Sequence, residues 1–312
     1  MSKLSGVTDR ALFLSPEPPY PMAGGGPIRS SSLLHFLAQR FAVHLITFLD
    51  EFSPNPEPEL PRGVVDCITS IRLPHHDKST FSRAYRNTGR LLRGQLPLSD
   101  RFCQEQSLRR VDLAVSGRRY AVAVIEHFWC ARYFELLRER ADLVILNLHN
   151  VESALHEQCA RTEPFPDKVG HRFFRRTAQR MERELLAEFD LVLVTSEDDQ
   201  RRVRELCPRA RTAIYPNAIP LHDTPRQPEE HVVAFSGNLE YHPNVSAVRH
   251  FREQVWPGLR QADPQLRWRL IGRNEQSVEA IVGGDDRIER TGAIEDSIAE
   301  LARAKEIGRA HV

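Results

Sequence analysis

The sequence lacks the features of a metalloprotein, a disulfide-stabilised protein or a membrane protein. It has no CxxC motif and no Cys/His cluster, and its five cysteines are widely spaced and odd in number; this argues against a zinc site and a disulfide framework. They are Cys67, Cys103, Cys130, Cys159 and Cys207. No apolar run approaches the roughly 18 residues of a membrane-spanning helix, and residues 1–10 contain no apolar signal-peptide core. We therefore expect a cytoplasmic protein in a reducing environment.

The sequence also lacks an excess of charge of either sign. Lysine and arginine number 43 and aspartate and glutamate 42, a formal net charge of +1, so the composition gives no reason to expect a nucleic-acid partner. Basic residues are concentrated locally, in residues 83–93 and 172–180. We interpret each concentration as a solvated helix face, with peripheral contact to an anionic membrane surface as the alternative.

What the sequence does have is a repeated alternation of short apolar runs with helical patterns. The apolar runs predict strands at residues 11–14, 43–48, 67–73, 120–126, 143–148, 189–195, 212–215, 232–235, 268–271 and 288–291. This alternation is typical of βαβ units and parallel sheets. The length of 312 residues favours two domains. The polar, proline-bearing residues 221–230 predict a linker between a domain of residues 1–220 and a second domain of residues 231–305.

Polarity changes abruptly where two of the predicted strands end. Residues 143–148 are almost wholly apolar and are followed by His149, Asn150 and Glu152, and the run 120–126 ends in Glu126 and His127. Ligands of open α/β sheets gather beyond the carboxyl ends of the strands, so His149 is a candidate functional residue. The alternative is a strand end whose polar residues simply open the next helix.

A glycine-rich loop joins the first predicted strand to the first predicted helix. Gly24, Gly25 and Gly26 lie in this loop, and the serines at 30–32 are candidate caps for a helix that continues through Leu33. Glycine permits close approach of a ligand to the backbone, and free N–H groups at a helix start favour anions. A tight turn that merely needs glycine explains the loop equally well.

Taken together, these motifs resemble a known family. They lie at residues 19–29, 148–153, 189–196, 215–217, 235–244, 270–273 and 291–292. In this order and spacing the chain resembles a family 4 glycosyltransferase of the GT-B fold, close to bacterial sugar transferases of exopolysaccharide and cell-envelope pathways. The resemblance implies two Rossmann-like domains with parallel sheets. It also implies transfer of a hexosyl-type sugar, with retention of configuration, from a nucleotide-sugar donor to a carbohydrate or lipid-linked glycan acceptor.

The resemblance also implies roles for individual residues. His149 matches the histidine that contacts the donor sugar, and it is the catalytic candidate. Gly24 and Gly25 match the loop that approaches the donor phosphates and the acceptor. Matches in the second domain are Gly237 and Asn238 in its first phosphate-side loop, and Gly272, Arg273 and Gly292 near the nucleobase. No bound cofactor or metal is implied, since the nucleotide diphosphate sugar is a substrate.

The chain departs from the family pattern in two respects. Many relatives carry an arginine and a lysine where this chain has Asn238 and about Pro243, so the leaving diphosphate would need another cation, for example Arg273. Relatives also place a Glu-x7-Glu pair later in the donor domain. The same spacing here, at Glu51/Glu59 and Glu197/Glu205, falls outside that region and looks like chance.

The last residues of the sequence do not continue the pattern of the helix before them. Residues 296–305 predict a helix, and residues 306–312 break its pattern and resemble a translated sequencing adapter. We therefore expect a non-native tail after a donor domain that stops about three strands in. A polypeptide made as written would then be poorly soluble and inactive.

Two other functions remain open at this stage. A sugar-nucleotide 2-epimerase shares the architecture, and it would need acid/base groups for which Glu126, His127 and His149 are the candidates. A non-catalytic sugar-binding partner of another transferase is the third interpretation, weakly favoured by the Asn238 and Pro243 departures. The basic helix predicted at residues 79–93 would suit peripheral contact with the inner face of a membrane.

Overall fold

The structure is a computed structural model, and it describes residues 9–22, 24–75, 80–162, 165, 167–218, 225–294 and 296–308. The chain divides into two compact units, Met1–Ile219 (unit 1) and Pro220–Val312 (unit 2). The strands are β1 (Arg10–Ser15), β2 (Ala42–Leu49), β3 (Cys67–Arg72), β4 (Val122–Glu126), β5 (Val144–Asn147), β6 (Leu191–Val194), β7 (Thr212–Ile214), β8 (Glu230–Ser236), β9 (Arg267–Ile271), β10 (Ile288–Gly292) and β11 (Ala304–Gly308). The α-helices are α1 (Gly25–Ala38), α2 (Thr80–Arg93), α3 (Pro97–Phe102), α4 (Glu105–Val115), α5 (Phe134–Leu137), α6 (Glu152–Thr162), α7 (Asp167–Leu185), α8 (Glu197–Leu206), α9 (His242–His250), α10 (Trp256–Ala262), α11 (Glu279–Val282) and α12 (Ser297–Leu301). Short 3-10 turns lie at Glu57–Glu59, Phe128–Tyr133 and Glu275–Val278.

Unit 1 is built on a seven-stranded sheet with the order β3-β2-β1-β4-β5-β6-β7. Every pairing in it is parallel. The chain winds outward from β1 to β3 and then returns to place β4 on the other side of β1. The strand order therefore reverses between β1 and β4, and in such sheets a crevice for ligands opens beyond the carboxyl ends of the two strands at that point.

Both faces of the central part of this sheet are buried, which explains why β1, β2, β4 and β5 are nearly continuous apolar runs. Along β1, Leu12 and Leu14 belong to one hydrophobic cluster and Ala11 and Phe13 to the cluster on the opposite face. Successive side chains of a strand alternate between faces. A strand with apolar residues at every position must therefore be covered on both sides, as parallel sheets are.

Unit 2 is built on a four-stranded sheet with the order β10-β9-β8-β11. Its pairings are also parallel. The three-strand expectation for this domain was wrong, because residues assigned to a helix and a tail form β11 instead. This strand pairs along β8, with Ile307 opposite Ala234 and Gly308 opposite Phe235. The identification of residues 306–312 as a non-native tail stays a prediction.

A buried arginine holds α12 against this sheet. Arg269 on β9 is 8% exposed and donates to Glu289, Glu230 and Glu300, each at 2.7 Å. Glu300 belongs to α12, so this short helix is held to the sheet by a charge-assisted hydrogen bond. The helix ends at Leu301 rather than continuing to residue 305, and the chain turns directly into β11.

The first helix also begins at a different residue from the one that the sequence predicted. It starts at Gly25, with Gly24 as its N-cap, so Ser30 and Ser31 lie inside the helix and do not cap it. Pro27 does not prevent this, because proline is tolerated in the first turn, where the N–H groups lack intrahelical partners. Among the described residues, no helix is both long enough and apolar enough to cross a membrane.

Candidate functional site

The chemistry-bearing side chains of unit 1 meet at the point where its strand order reverses. Glu126 is the last residue of β4 and Asn147 the last of β5, and the two are direct partners in the register of these parallel strands. Both side chains are fully buried. The sheet thus holds a carboxylate and an amide beside each other at its carboxyl edge.

Glu126 is the centre of the hydrogen bonding. Its Oε2 accepts from the Ser30 hydroxyl at 2.7 Å and lies 2.7 Å from His149 Nε2, and its Oε1 accepts from Asn147 Nδ2 at 2.9 Å. An ionised carboxylate only accepts hydrogen bonds, so the His149 proton is assigned to Nε2. The His149 side chain is 8% exposed, and Nδ1 is its ring nitrogen that does not face Glu126. The sequence-predicted residue is therefore held in a fixed orientation.

His127 stacks directly on His149. The ring centroids are 3.6 Å apart, and the other face of His127 stacks on Trp129 at 4.2 Å. Burial, followed by the neighbouring His149 and Arg29, holds the pKa of His127 well below its ordinary value, so this ring is neutral. His127 has a positive φ of 62°, and its buried Nε2 has no hydrogen-bond partner among the described residues. Strained backbone with an unpaired polar atom is typical of functional sites.

Sequence reasoning missed the cation of this site. Arg29 of α1 is 2% exposed and donates to Asn147 Oδ1 at 2.7 Å, to the Tyr215 carbonyl at 2.5 Å and to Asn217 Oδ1 at 3.1 Å. Its guanidinium also lies over the Tyr215 ring, 4.5 Å from the centroid. Arg29 therefore joins the first helix to β5 and to the loop after β7. Arg29 and Tyr215 both lay within the motifs that carried the family resemblance.

In the glycine loop, the glycine that makes a close contact is not one of the two predicted ones. A Cβ atom built on Gly25 meets no atom within 4 Å, and one on Gly24 meets only Pro27 at 3.9 Å. The close approach occurs at Gly26, where a Cβ would lie 2.6 Å from Glu17 Oε1. Gly24 and Gly25 thus border open space at the start of α1, and Gly26 makes room for a carboxylate of the same loop.

A pair of buried acids lies directly behind the ring stack. Glu152 accepts from Trp129 Nε1 at 2.9 Å, and Glu182 of α7 accepts from the Ser153 backbone N–H at 3.1 Å. Burial, and then the neighbouring Glu182, raise the pKa of Glu152 to about 8. Burial raises the pKa of Glu182 to about 7. The pair therefore holds a proton at neutral pH, because two adjacent charges in this apolar setting would repel each other.

In unit 2, the structure brings together all of the sequence-predicted loops. Gly237 N–H donates to the Ile271 carbonyl at 3.0 Å, and Gly272 N–H to the Gly292 carbonyl at 2.9 Å. A Cβ on Gly272 would overlap the Gly237 carbonyl oxygen, and the φ of Gly272 is +146°. Only glycine fits this contact. The loops after β8, β9 and β10 therefore form one continuous surface.

Asn238 and Arg273 have distinct parts in this surface. The Asn238 side-chain oxygen accepts from the Glu240 backbone N–H at 3.1 Å and from Asn274 Nδ2 at 3.0 Å, so Asn238 stabilises the loops against each other. Arg273 is exposed, and its carbonyl accepts from the Leu239 N–H at 3.1 Å. Its backbone is thus fixed while its guanidinium faces solvent. Within the described ranges, no group of three or more His, Cys, Asp or Glu side chains is arranged to hold a metal ion.

Comparison with known proteins identifies the architecture. No protein-family model matches the chain, and no curated protein matches it by sequence. Among solved structures, TarM has a TM-score of 0.61 at 8% identity, covering 96% of this chain and 80% of that one. The E. coli trehalose-6-phosphate protein bound with UDP-2-fluoro glucose has a TM-score of 0.53 at 14% identity, covering 94% and 75%.

The chain has the GT-B fold. The predicted fold class of two Rossmann-like domains with parallel sheets is therefore confirmed. A further GT-B neighbour is a Listeria monocytogenes protein assigned as a UDP-N-acetylglucosamine 2-epimerase, with a TM-score of 0.51 at 8% identity, covering 97% of this chain and 74% of that one. At these identities the likeness is one of fold, and the GT-B fold hosts more than one reaction.

Proposed function

We propose that this GT-B protein is a retaining, hexosyl-type glycosyltransferase that moves a sugar from a nucleotide-sugar donor to an envelope or exopolysaccharide-type acceptor. The observation that carries the proposal is the joined loop surface of unit 2, formed where β8, β9 and β10 end. Its glycines, Gly237, Gly272 and Gly292, are those that the family resemblance assigns to the donor. The E. coli structural neighbour bound with UDP-2-fluoro glucose supports a nucleotide sugar as that donor.

The loop surface has the chemistry that a nucleotide diphosphate needs. The missing side chain of Gly272 makes room for the Gly237 carbonyl, and that of Gly237 makes room for the Asn244 side chain. The glycines therefore hold the ends of β8 and β9 close together, and the diphosphate is proposed to contact the backbone of these joined loops. Arg273 supplies an exposed guanidinium beside it, and guanidinium groups bind phosphate through paired N–H donors. We assign to Arg273 the cation that Asn238 and Pro243 do not supply.

His149 is proposed to contact the transferred sugar. Glycosyl transfer builds positive charge on the sugar and negative charge on the leaving diphosphate, so the protein acts mainly by positioning and by stabilising these charges. Glu126 fixes the His149 ring through Nε2 and leaves Nδ1 for a sugar hydroxyl. The Gly24 and Gly25 segment, which borders open space at the start of α1, is proposed to approach the donor phosphates and the acceptor.

Donor binding tests the proposal without requiring turnover. Titration calorimetry with UDP-, GDP- and ADP-glucose should detect one preferred donor, and Arg273→Ala should weaken it by roughly tenfold to a hundredfold. Arg267→Ala, at the opposite end of β9, is the matched control and should change affinity little. Failure of every nucleotide sugar to bind would leave only a non-catalytic role. Retention would be read separately, from the anomeric form of the transferred or released sugar.

A second candidate function is a sugar-nucleotide 2-epimerase. It is favoured by one specific observation, since the structure brings together Glu126, His127 and His149, the acid/base candidates for an epimerase. Two of the three are poorly suited to proton transfer. Glu126 is fully buried and already accepts hydrogen bonds from Ser30 and Asn147. Burial lowers the pKa of His127, which makes its ring a weak base. Incubating a labelled donor without an acceptor separates the reactions, since an epimerase alone gives a rearranged sugar nucleotide.

We also propose peripheral contact of unit 1 with the inner face of the cytoplasmic membrane. Large apolar side chains are exposed beside arginines, with Tyr85 78% and Leu92 85% exposed on α2 and Phe173 53% exposed on α7. Apolar groups among cations suit an anionic lipid surface. Sedimentation with phosphatidylglycerol vesicles should retain the protein, and Leu92→Asp should release it. No binding at low salt would contradict the proposal.

A further inference from the structure

A groove of about 1170 Å³ lies in unit 1, and neither Glu126 nor His149 is among its lining residues. It is lined by the segments that follow β1, β2 and β3, together with part of α3. All three strands end at the same edge of the parallel sheet, so the groove occupies the edge at which ligands of such sheets bind. Nothing in the sequence patterns singled out this groove.

The lining is dominated by rings and prolines. Phe48, Phe52 and Phe102 contribute aromatic faces, and Tyr20 lies beside them. Prolines of the loops after β1, β2 and β3 complete the walls, at positions 16, 18, 21, 54, 56, 58 and 74. Flat, rigid apolar faces of this kind hold a ring or a hydrocarbon group with little loss of side-chain entropy.

The charges in the groove are unbalanced. Arg101 is paired with Asp50, and His75 lies 3.1 Å from Glu51. Glu17 and Glu59 also line the groove, and no cation among its described lining residues is left to neutralise them. An anionic ligand would therefore meet repulsion here, whereas hydroxyl groups would find carboxylates that accept hydrogen bonds.

Glu17 connects the groove to the site around His149. Its Oε1 lies where the missing side chain of Gly26 would be, at the start of α1. Although the residue is exposed as a whole, its carboxyl end is crowded, and this desolvation raises its pKa; His149 opposes the rise and Glu126 adds to it. The carboxyl of Glu17 thus lies against α1, the same helix whose Ser30 donates to Glu126, so this end of the groove and the His149 site share one helix.

We propose that this groove holds the acceptor, and that the part of the acceptor lying in it is an uncharged sugar carrying an apolar group, not a phosphate. The inference rests on the proposed transferase function and adds to it the chemical class of the acceptor. The sugar hydroxyls would face Glu17 and Glu59, and the apolar group would lie against the phenylalanines and prolines. A diphosphate-linked glycan is the acceptor that this charge arrangement disfavours.

Direct binding of two matched probes tests this assignment in the full chain. The probes are a nitrophenyl glucoside and the same glucoside carrying a phosphate on its sugar, compared by saturation-transfer NMR and titration. We expect the neutral probe to bind at least about tenfold more tightly, since unpaired carboxylates repel the phosphate. The saturation should be strongest on the aromatic protons, and free glucose should bind much more weakly.

A charge reversal within one turn supplies the matched variants. Glu59→Lys places a cation in the groove and should raise the affinity for the phosphorylated probe by about tenfold. Glu57 belongs to the same 3-10 turn (Glu57–Glu59) and is absent from the lining, so Glu57→Lys should leave the preference unchanged.

The outcomes separate this inference from the function on which it rests. Tighter binding of the phosphorylated probe to the wild type, or no binding of the neutral probe, would overturn the acceptor assignment. Equal effects of Glu59→Lys and Glu57→Lys would show that the charge acts from outside the groove, and would overturn it as well. A donor titration that succeeds while these fail leaves the transferase proposal standing, whereas a donor titration that fails removes that proposal directly.

Discussion

Replacing one of the two buried acids should make unit 1 more stable in mild alkali. In Glu152→Gln, the amide oxygen can still accept from Trp129 Nε1, and its NH2 group can donate toward Glu182, whose Oε2 is buried without a partner among the described residues. The variant thus keeps the packing of the wild-type pair and removes one ionisable group. The effect of the substitution on the free energy of unfolding should depend on pH, because the protonation of the wild-type pair depends on pH.

The direction in which wild-type stability changes with pH follows from the number of protons bound in the folded and unfolded states. Glu152 has a pKa of about 8 in the folded protein against an ordinary value of 4.5, so between these values the folded state binds more protons than the unfolded state. Stability then falls as pH rises through this window, and the loss is complete above the folded pKa. The full shift corresponds to on the order of 5 kcal/mol at about 1.4 kcal/mol per pH unit. The amide of the Glu152→Gln variant remains a buried polar group beside Glu182, so we expect about 2 kcal/mol of it to be recovered.

Urea unfolding at several pH values measures this difference. The free energy of unfolding of Glu152→Gln should lie about 2 kcal/mol below that of the wild type at about pH 5, because the cost of the buried amide is the same at every pH, and about 2 kcal/mol above it at about pH 8.5. Glu184→Gln, which alters an exposed carboxylate on the same helix as Glu182, should differ from the wild type by less than about 0.5 kcal/mol throughout. A difference that does not change with pH would refute the shared-proton interpretation.

Three further predictions concern other parts of the fold. Arg29→Ala leaves buried acceptors on Asn147 and Tyr215 unpaired and should lower the free energy of unfolding by about 3 kcal/mol. The control Arg40→Ala removes an exposed side chain and should change the free energy of unfolding little. A small effect of Arg29→Ala would show that water replaces the hydrogen bonds of Arg29. Gly272→Ala should destabilise unit 2 by more than about 2 kcal/mol in thermal unfolding, because its Cβ would overlap the Gly237 carbonyl; unchanged stability would contradict that contact. The pKa of His44 is lowered to about 4, first by burial, so unit 1 should lose stability as pH falls from about 6.5 to 4, and His44→Gln should flatten that loss if the assignment is right.

The fold was predictable because the apolar signal is strong at the central strands of unit 1. The run at residues 11–14 is apolar on both faces, and only a strand covered on both sides can bury such a run. The same logic holds for β2, β4 and β5, so the order of elements and the parallel sheets followed from the sequence. Strand ends shifted by a residue or two, as expected where hydrogen bonding frays.

Residues 304–308 were not predictable in the same way. Ala304, Lys305 and Glu306 have no apolar alternation, and their helical propensity continues the pattern of α12. What places them in a strand is the open edge of β8, a partner distant in the sequence. Tertiary pairing overrode local preference there, and no window of neighbouring residues contains that information.

The sequence predicted which position in unit 1 carries a functional side chain, but it did not predict the hydrogen bonds that this side chain makes. His149 was singled out because polarity changes where β5 ends. The structure places His149 two residues past the end of β5, beside Glu126. That Glu126 would hold His149, and that Arg29 would reach Asn147 from a helix 118 positions earlier, depends on strand order. Glu152 likewise joins the site only through Trp129, a contact between separate segments that periodicity cannot reveal.

Nucleotide-sugar binding by unit 2, at the joined ends of β8, β9 and β10, can be observed directly by backbone amide hydrogen exchange with and without UDP-, GDP- and ADP-glucose. We expect one of these donors to slow exchange in the loops containing Gly237, Gly272 and Gly292 together. Arg273→Ala should abolish that protection and Arg267→Ala should not. Unchanged exchange in all three loops with every donor, or protection confined to other segments, would contradict the donor site proposed for this unit.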